Sequence, residues 1–143
     1  MRRAVLLILL LAMAVAAGGC AGQGSDNAGD FRGEQRAVAQ AVDDISKHAF
    51  KLESRQICDG FMTPELKAKL GAEAKRLRRG ADCADGLKDS LEETGAFDPD
   101  ISKIEITGKR AVVTMSFDTK ADPDPVGTLR MVNQRGWRIS ELP

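Results

Sequence analysis

The hydrophobic period of this chain changes once, at Gly95, and that change limits the fold more than any other feature of the sequence. Before it, apolar residues recur every three or four positions. Val38, Val42, Ile45, Ala49 and Leu52 lie at spacings of 4, 3, 4 and 3, the stripe of a helix that buries one side. Asp43, Asp44 and Lys47 are expected on the opposite side, and the stripe is expected to run to Cys58-Asp59-Gly60, where glycine marks a stop. Thr63-Pro64-Glu65 reads as the start of a second helix, with Thr as N-cap, Pro at the first helical position and an acid in the first turn. Leu66, Leu70 and Leu77 carry its apolar side, with a break expected at Gly71. Gly80 separates a short helix from Ala84 to Leu91.

After Gly95 the period is 2. Ile104 and Ile106, then Val113, Met115 and Phe117, then Leu129 and Met131, then Trp137 and Ile139 alternate with polar neighbours, as strands with one buried face do. Four strands are expected, at about 101–107, 110–117, 126–132 and 136–142. Gly108-Lys109 and Asn133 to Gly136 supply hairpin turns. Asp122-Pro123-Asp124-Pro125 is expected to be a loop, because proline cannot donate to a central ladder. Helices followed by an antiparallel sheet make an α+β fold, and 143 residues suffice for one domain.

The first segment stands apart from this pattern. Met1-Arg2-Arg3 is a basic opening, and Ala4 to Ala17 is an unbroken apolar run. The run is shorter than the about 20 residues of a permanent membrane helix and fits the apolar region of a signal peptide. Ala16-Ala17-Gly18-Gly19-Cys20 follows, and a cysteine directly after small residues resembles the bacterial lipobox, with Ala17 where leucine is usual. That resemblance implies cleavage before Cys20 and a diacylglyceryl group on its thiol. Residues 1–19 are then a lipoprotein signal peptide, 20–33 a flexible tether rich in Gly, Ser, Asn and Asp, and 34–143 one folded domain. The localisation expected is the cell envelope, outside the cytoplasm, with the lipid as the membrane partner.

With Cys20 assigned to lipid, Cys58 and Cys83 remain. An even pair in an exported domain reads as a disulfide. Two thiols and a single distant His lack the four-ligand spacing of zinc, so no metal is expected.

The order of an amphipathic helix, shorter helices and a strand meander resembles the nuclear-transport-factor-2-like superfamily, in which a cone of sheet wraps on a long N-terminal helix. Within it the chain is similar to small actinobacterial-type lipoproteins. The residues that carry the likeness are Ile57-Cys58 with Met62-Thr63-Pro64-Glu65-Leu66, Cys83 with Ala84 and Leu87, Gly108-Lys109-Arg110-Ala111-Val112-Val113, and Gly136-Trp137-Arg138-Ile139. The superfamily includes isomerases, dehydratases and epoxide hydrolases as well as binding modules. Its enzymes imply a carboxylate or His base inside the cone and a group to hold an oxyanion.

Measured against that requirement the sequence is poor in chemistry. It has no Tyr and one His. The strand positions expected to face inward are apolar. His48 is the one candidate base, at the edge of the helical stripe, and no catalytic residue is assigned. Met115, Phe117, Met131 and Trp137, with His48, are expected to line a pocket or fill the core. Lys75-Arg76-Leu77-Arg78-Arg79 is the densest basic stretch. It reads as a solvated helix face or as a site for anionic headgroups. Lys and Arg together number 21, as do Asp and Glu, so no nucleic-acid partner is expected, and no cofactor motif is present. The expectation is a lipid-anchored, non-enzymatic module for a protein partner or a small apolar ligand. The alternative is an isomerase- or dehydratase-type enzyme with His48 as base.

Overall fold

The computed structural model describes residues 26–95, 97–118 and 123–142. Cys20, the signal segment, the start of the tether and Asp122 lie outside the described residues. Four helices, α1 (Gly33–Phe50), α2 (Ser54–Gly60), α3 (Pro64–Leu77) and α4 (Cys83–Thr94), precede four strands, β1 (Pro99–Thr107), β2 (Arg110–Asp118), β3 (Pro123–Asn133) and β4 (Trp137–Glu141). The strands form one antiparallel sheet in the order β1-β2-β3-β4, and the helices pack on one face of it. The fold class is α+β.

Helix α1 buries Val38, Ala39, Val42, Ile45 and Ala49 against the sheet. It does not continue to Gly60 as the stripe implied. It ends at Phe50, and Leu52 turns outward at φ 56°, 42% exposed. The Glu53 amide donates to the His48 carbonyl and the Leu52 amide to that of Ala49, which closes a tight turn. The reversal lets α2 bring Ile57 and Cys58 into the core. Helix α3 begins as expected, with the Thr63 hydroxyl accepting from the Leu66 amide and Pro64 in the first turn. It runs unbroken through Gly71. A Cβ at Gly71 would lie at ordinary contact distance, 3.5 Å, from the Cys83 nitrogen, whereas one on Gly86 would crowd the Ala74 Cβ at 3.0 Å. The bare backbone at Gly86 lets α4 lie close to α3.

The inner face of the sheet carries Ala111, Val113, Met115, Leu129, Met131, Trp137 and Ile139, each at most 7% exposed. A bulge between Ile101 and Lys103 turns both Ile101 and Ile104 inward, three positions apart. Strand β3 starts at Pro123, inside the expected loop, and pairs there with Asp118 beyond a second register shift. Its other side is paired by β4 only from Arg130 to Asn133, so prolines at 123 and 125 interrupt no ladder on that side.

Asp43 lies where the sequence reading did not put it. It is buried at 4% exposure on the inner side of α1, because residues 27–30, expected within the tether, form a 3-10 turn over it. One Asp43 carboxylate oxygen accepts from the Asn27 amide (3.2 Å) and the Asn27 side-chain nitrogen (2.8 Å), and the other from the Ala28 amide (3.0 Å). Asn27 also donates to the Pro99 carbonyl (3.0 Å) and accepts from the Ile101 amide (2.9 Å). Its side chain thereby stands in for a neighbouring strand along the β1 edge. Gln35 donates to the Ile104 carbonyl (2.9 Å) further along. Side chains thus cover an edge that would otherwise be open for pairing.

Replacing Asp43 by Ala strands three buried donors, so it should destabilise the domain by about 3 kcal/mol, visible as a lowered urea midpoint. Asp43→Asn, which keeps one acceptor, should cost less. A loss below about 0.5 kcal/mol for Asp43→Ala would show that the junction contributes no more than a surface contact.

Candidate functional site

The interior between helices and sheet is filled. Met115 and Met131 are at 0% and 1% exposure and Trp137 at 7%, all in one apolar cluster with the buried face of α1. Phe117 is half-buried and tilts against Phe97, ring centroids 5.5 Å apart. What space remains is a wholly apolar crevice of about 80 Å3 among Ile45, Ala49, Leu87, Leu91, Phe97 and Leu142. None of the five residues expected to line a pocket borders it. The sequence left it unmarked because its walls come from five separate elements, α1, α2, α4, β3 and β4, and from the segments around them, and each wall residue alone reads as ordinary core.

His48 sits at the periphery, about one-third exposed. Its Nδ1 is 2.6 Å from a Glu53 carboxylate oxygen, and its ring tilts on Phe61 at 5.5 Å. The pair spans the α1–α2 turn that the Glu53 amide also closes. A carboxylate that fixes an imidazole is the arrangement a general base uses, but neither side chain borders the crevice. The pair's evident work is to clamp the turn.

Larger concavities are open and lie along the seams where α1 and α3 meet the β4 side of the sheet. One of about 470 Å3 runs past Glu65, Arg110, Arg130 and Glu141, with Arg130 and Glu141 paired at 3.1 Å. Among the described residues no group of three or more His, Cys, Asp or Glu side chains could hold a metal ion.

Cys58 and Cys83 are joined in a disulfide, with Cα atoms 6.4 Å apart. It links α2 to the first turn of α4. Beside it Asp82 caps α4: its side chain accepts from the Asp85 amide while Asp85 reaches back to the Asp82 amide. Arg55 donates to Asp82 at 3.0 Å. The Asp85 amide, then the Arg55 guanidinium, hold the Asp82 carboxyl below its ordinary range, and the hydrogen bond Arg55 donates to Asp82 raises Arg55 in turn.

No known protein family matches the chain, and no curated protein matches it.

The disulfide closes a separation of 25 residues, so Cys58→Ala with Cys83→Ala should lower stability by about 3 kcal/mol. Urea unfolding of the double variant and of the reduced parent should agree; an unchanged midpoint would remove the bridge from the account. For Asp82, the folded carboxyl lies below the unfolded value of about 3.9. Its contribution is therefore complete above that value and disappears as the pH falls through the folded one. Asp82→Asn keeps a capping oxygen but cannot titrate. The stability gap between parent and Asp82→Asn should be open at neutral pH and close as the pH drops below about 3.9. A gap of constant size down to acid would contradict the charge-based reading.

Proposed function

We propose that the chain is a lipid-anchored cell-envelope protein whose domain is a non-enzymatic interaction module of the nuclear-transport-factor-2-like type, its sheet wrapped on α1. One observation carries the choice of a binding module. The interior holds a wholly apolar crevice of about 80 Å3, whereas pockets for small molecules are typically about 300–1,000 Å3. Such a crevice has room for little more than a partner's inserted side chain. The disulfide suits an oxidising compartment, which agrees with the leader and Cys20. Among the described residues no helix is long and apolar enough to cross a membrane; the attachment proposed is the lipid on Cys20.

A second reading is favoured by one specific contact. Glu53 holds His48 at 2.6 Å, and an isomerase or dehydratase would use such a pair as its base.

Two measurements separate these statements. Cys20→Ser should leave the precursor uncleaved or release the protein from membranes, and the parent's intact mass should show the added acyl groups. Parent-like processing and fractionation of the variant would refute lipidation. Purified protein should turn over no ketosteroid, epoxide or hydroxy-ketone. Turnover abolished by His48→Ala, with thermal unfolding intact, would replace the binding module with the enzyme.

A further inference from the structure

We propose that the end of the helical layer formed by the α1–α2 and α3–α4 turns is a membrane-contact face, laid against anionic headgroups by the lipid anchor. The proposal rests on the lipid-anchor reading for its orientation, and on three features of the fold for the face itself.

The first is where the exposed apolar residues fall. Leu77 is 90% exposed, Phe50 51% and Leu52 42%. Phe50 and Leu52 sit at the end of α1 and in the turn after it, and Leu77 ends α3. The Arg55–Asp82 ion pair at 3.0 Å and the Cys58–Cys83 bridge hold these two turns side by side. Phe50 and Leu52 thus flank one of these turns and Leu77 the other. Leu52 also has a left-handed backbone, φ 56°, which a bulky residue rarely adopts. In that conformation it leaves the buried stripe of α1 and points its side chain to the surface.

The second is charge. The acids at the two turns are engaged: Asp82 by Arg55, Asp85 and Asp89 by Arg78 at 3.7 and 3.6 Å, and Glu53 by His48; Glu73, one turn before Leu77, is exposed and makes no ion pair with a described residue. Lys51, Lys75, Arg76 and Arg79 are exposed and make no ion pair with a described residue. The basic stretch around Leu77 thus stays cationic, although the whole chain balances 21 positive and 21 negative groups. Apolar side chains rimmed by free cations match an anionic lipid surface, where each cation strengthens binding about fivefold.

The third is the anchor's reach. Asn27 and Ala28 are fixed to Asp43, two turns of α1 before Phe50 and about 10 Å from it along the axis. The residues from Cys20 to Asn27 can extend by at most about 25 Å. A lipid on Cys20 can therefore reach the membrane with this end of the domain laid against it.

The test uses the mature full-length protein on vesicles of phosphatidylglycerol with brominated phosphatidylcholine. Single variants Phe50→Trp, Leu77→Trp and Val126→Trp report contact with the bilayer through quenching; Val126, 71% exposed, lies on β3. Quenching is expected at positions 50 and 77 and not at 126. It should be lost on brominated phosphatidylcholine alone. Adding Lys75→Glu, Arg76→Glu and Arg79→Glu should weaken it about a hundredfold in lipid concentration. Sedimentation with vesicles and an acylated mass, but no quenching at 50 or 77, would leave the anchor standing and overturn the face. Quenching at 50 and 77 by a protein whose mass shows no acyl group would retain the face and remove the anchor. Equal quenching at 126 would overturn the proposal as contact without orientation. So would a blue shift of the tryptophan at 50 or 77 with protein alone or with an acidic soluble protein, since the face would then serve protein association.

Discussion

A buried carboxylate on α1 joins three parts of this protein that share no local sequence. Asp43 receives three hydrogen bonds from Asn27 and Ala28, and Asn27 carries the linkage on to the backbone of β1. Leaving a carboxylate or an amide unpaired in such a site costs more than a typical net hydrogen bond contributes. The cluster is therefore all or nothing: either residues 27–30 lie on α1, or Asp43 cannot remain inside. Because Ser46, one turn further on, donates to the Phe97 carbonyl at 2.6 Å, the same side of α1 also fixes the chain as it enters the sheet. The position of the N-terminal segment follows from chemistry inside the core.

The other half of the helical layer is held by different means. α2, α3 and α4 are short, and they are joined by the Cys58–Cys83 bridge, the close approach of Gly86 to Ala74, and the Asp82 cap with its Arg55 partner. These contacts gather at one end of the helices. With the core packed on the inner sheet face and only a small crevice left, the surface chemistry of that end is where the domain meets its surroundings in our account.

Local patterns told most of this in advance where one residue's neighbours decide its state. The alternation from Val113 to Phe117 and from Leu129 to Met131 marks strands because every second side chain must face the core. Thr63-Pro64 marks a helix start because the cap and the fixed φ act within three residues. The cysteine pair is legible because the folded domain holds Cys58 and Cys83 and no third cysteine to compete. What stayed hidden depends on partners far away. Asp43 reads as a solvent-facing acid until Asn27 is brought to it, a separation of 16 residues. Gly71 reads as a helix break, yet α3 runs through it from Pro64 to Leu77 because the helix is held by its packing on α4. Leu52 continues the helical stripe in sequence, yet the turn that delivers Cys58 throws it outward. The bulge that puts Ile101 and Ile104 on one face breaks the period of 2 that defined the strand. His48 stands out by its rarity, whereas its partner Glu53, five residues on, carries no sequence signal because the left-handed turn at Leu52 brings the two together.

Amide hydrogen exchange on the native protein tests the central claim most directly. If Asp43 holds residues 27–30 on the core, the Ala28 and Ile101 amides exchange only through large openings. Their opening free energies should then approach those of the central β2 and β3 amides. Both should lose protection together in Asp43→Ala, while Val113 and Leu129 keep theirs relative to global stability. Exchange of the Ala28 and Ile101 amides at the rate of an unstructured chain in the parent protein would contradict the account.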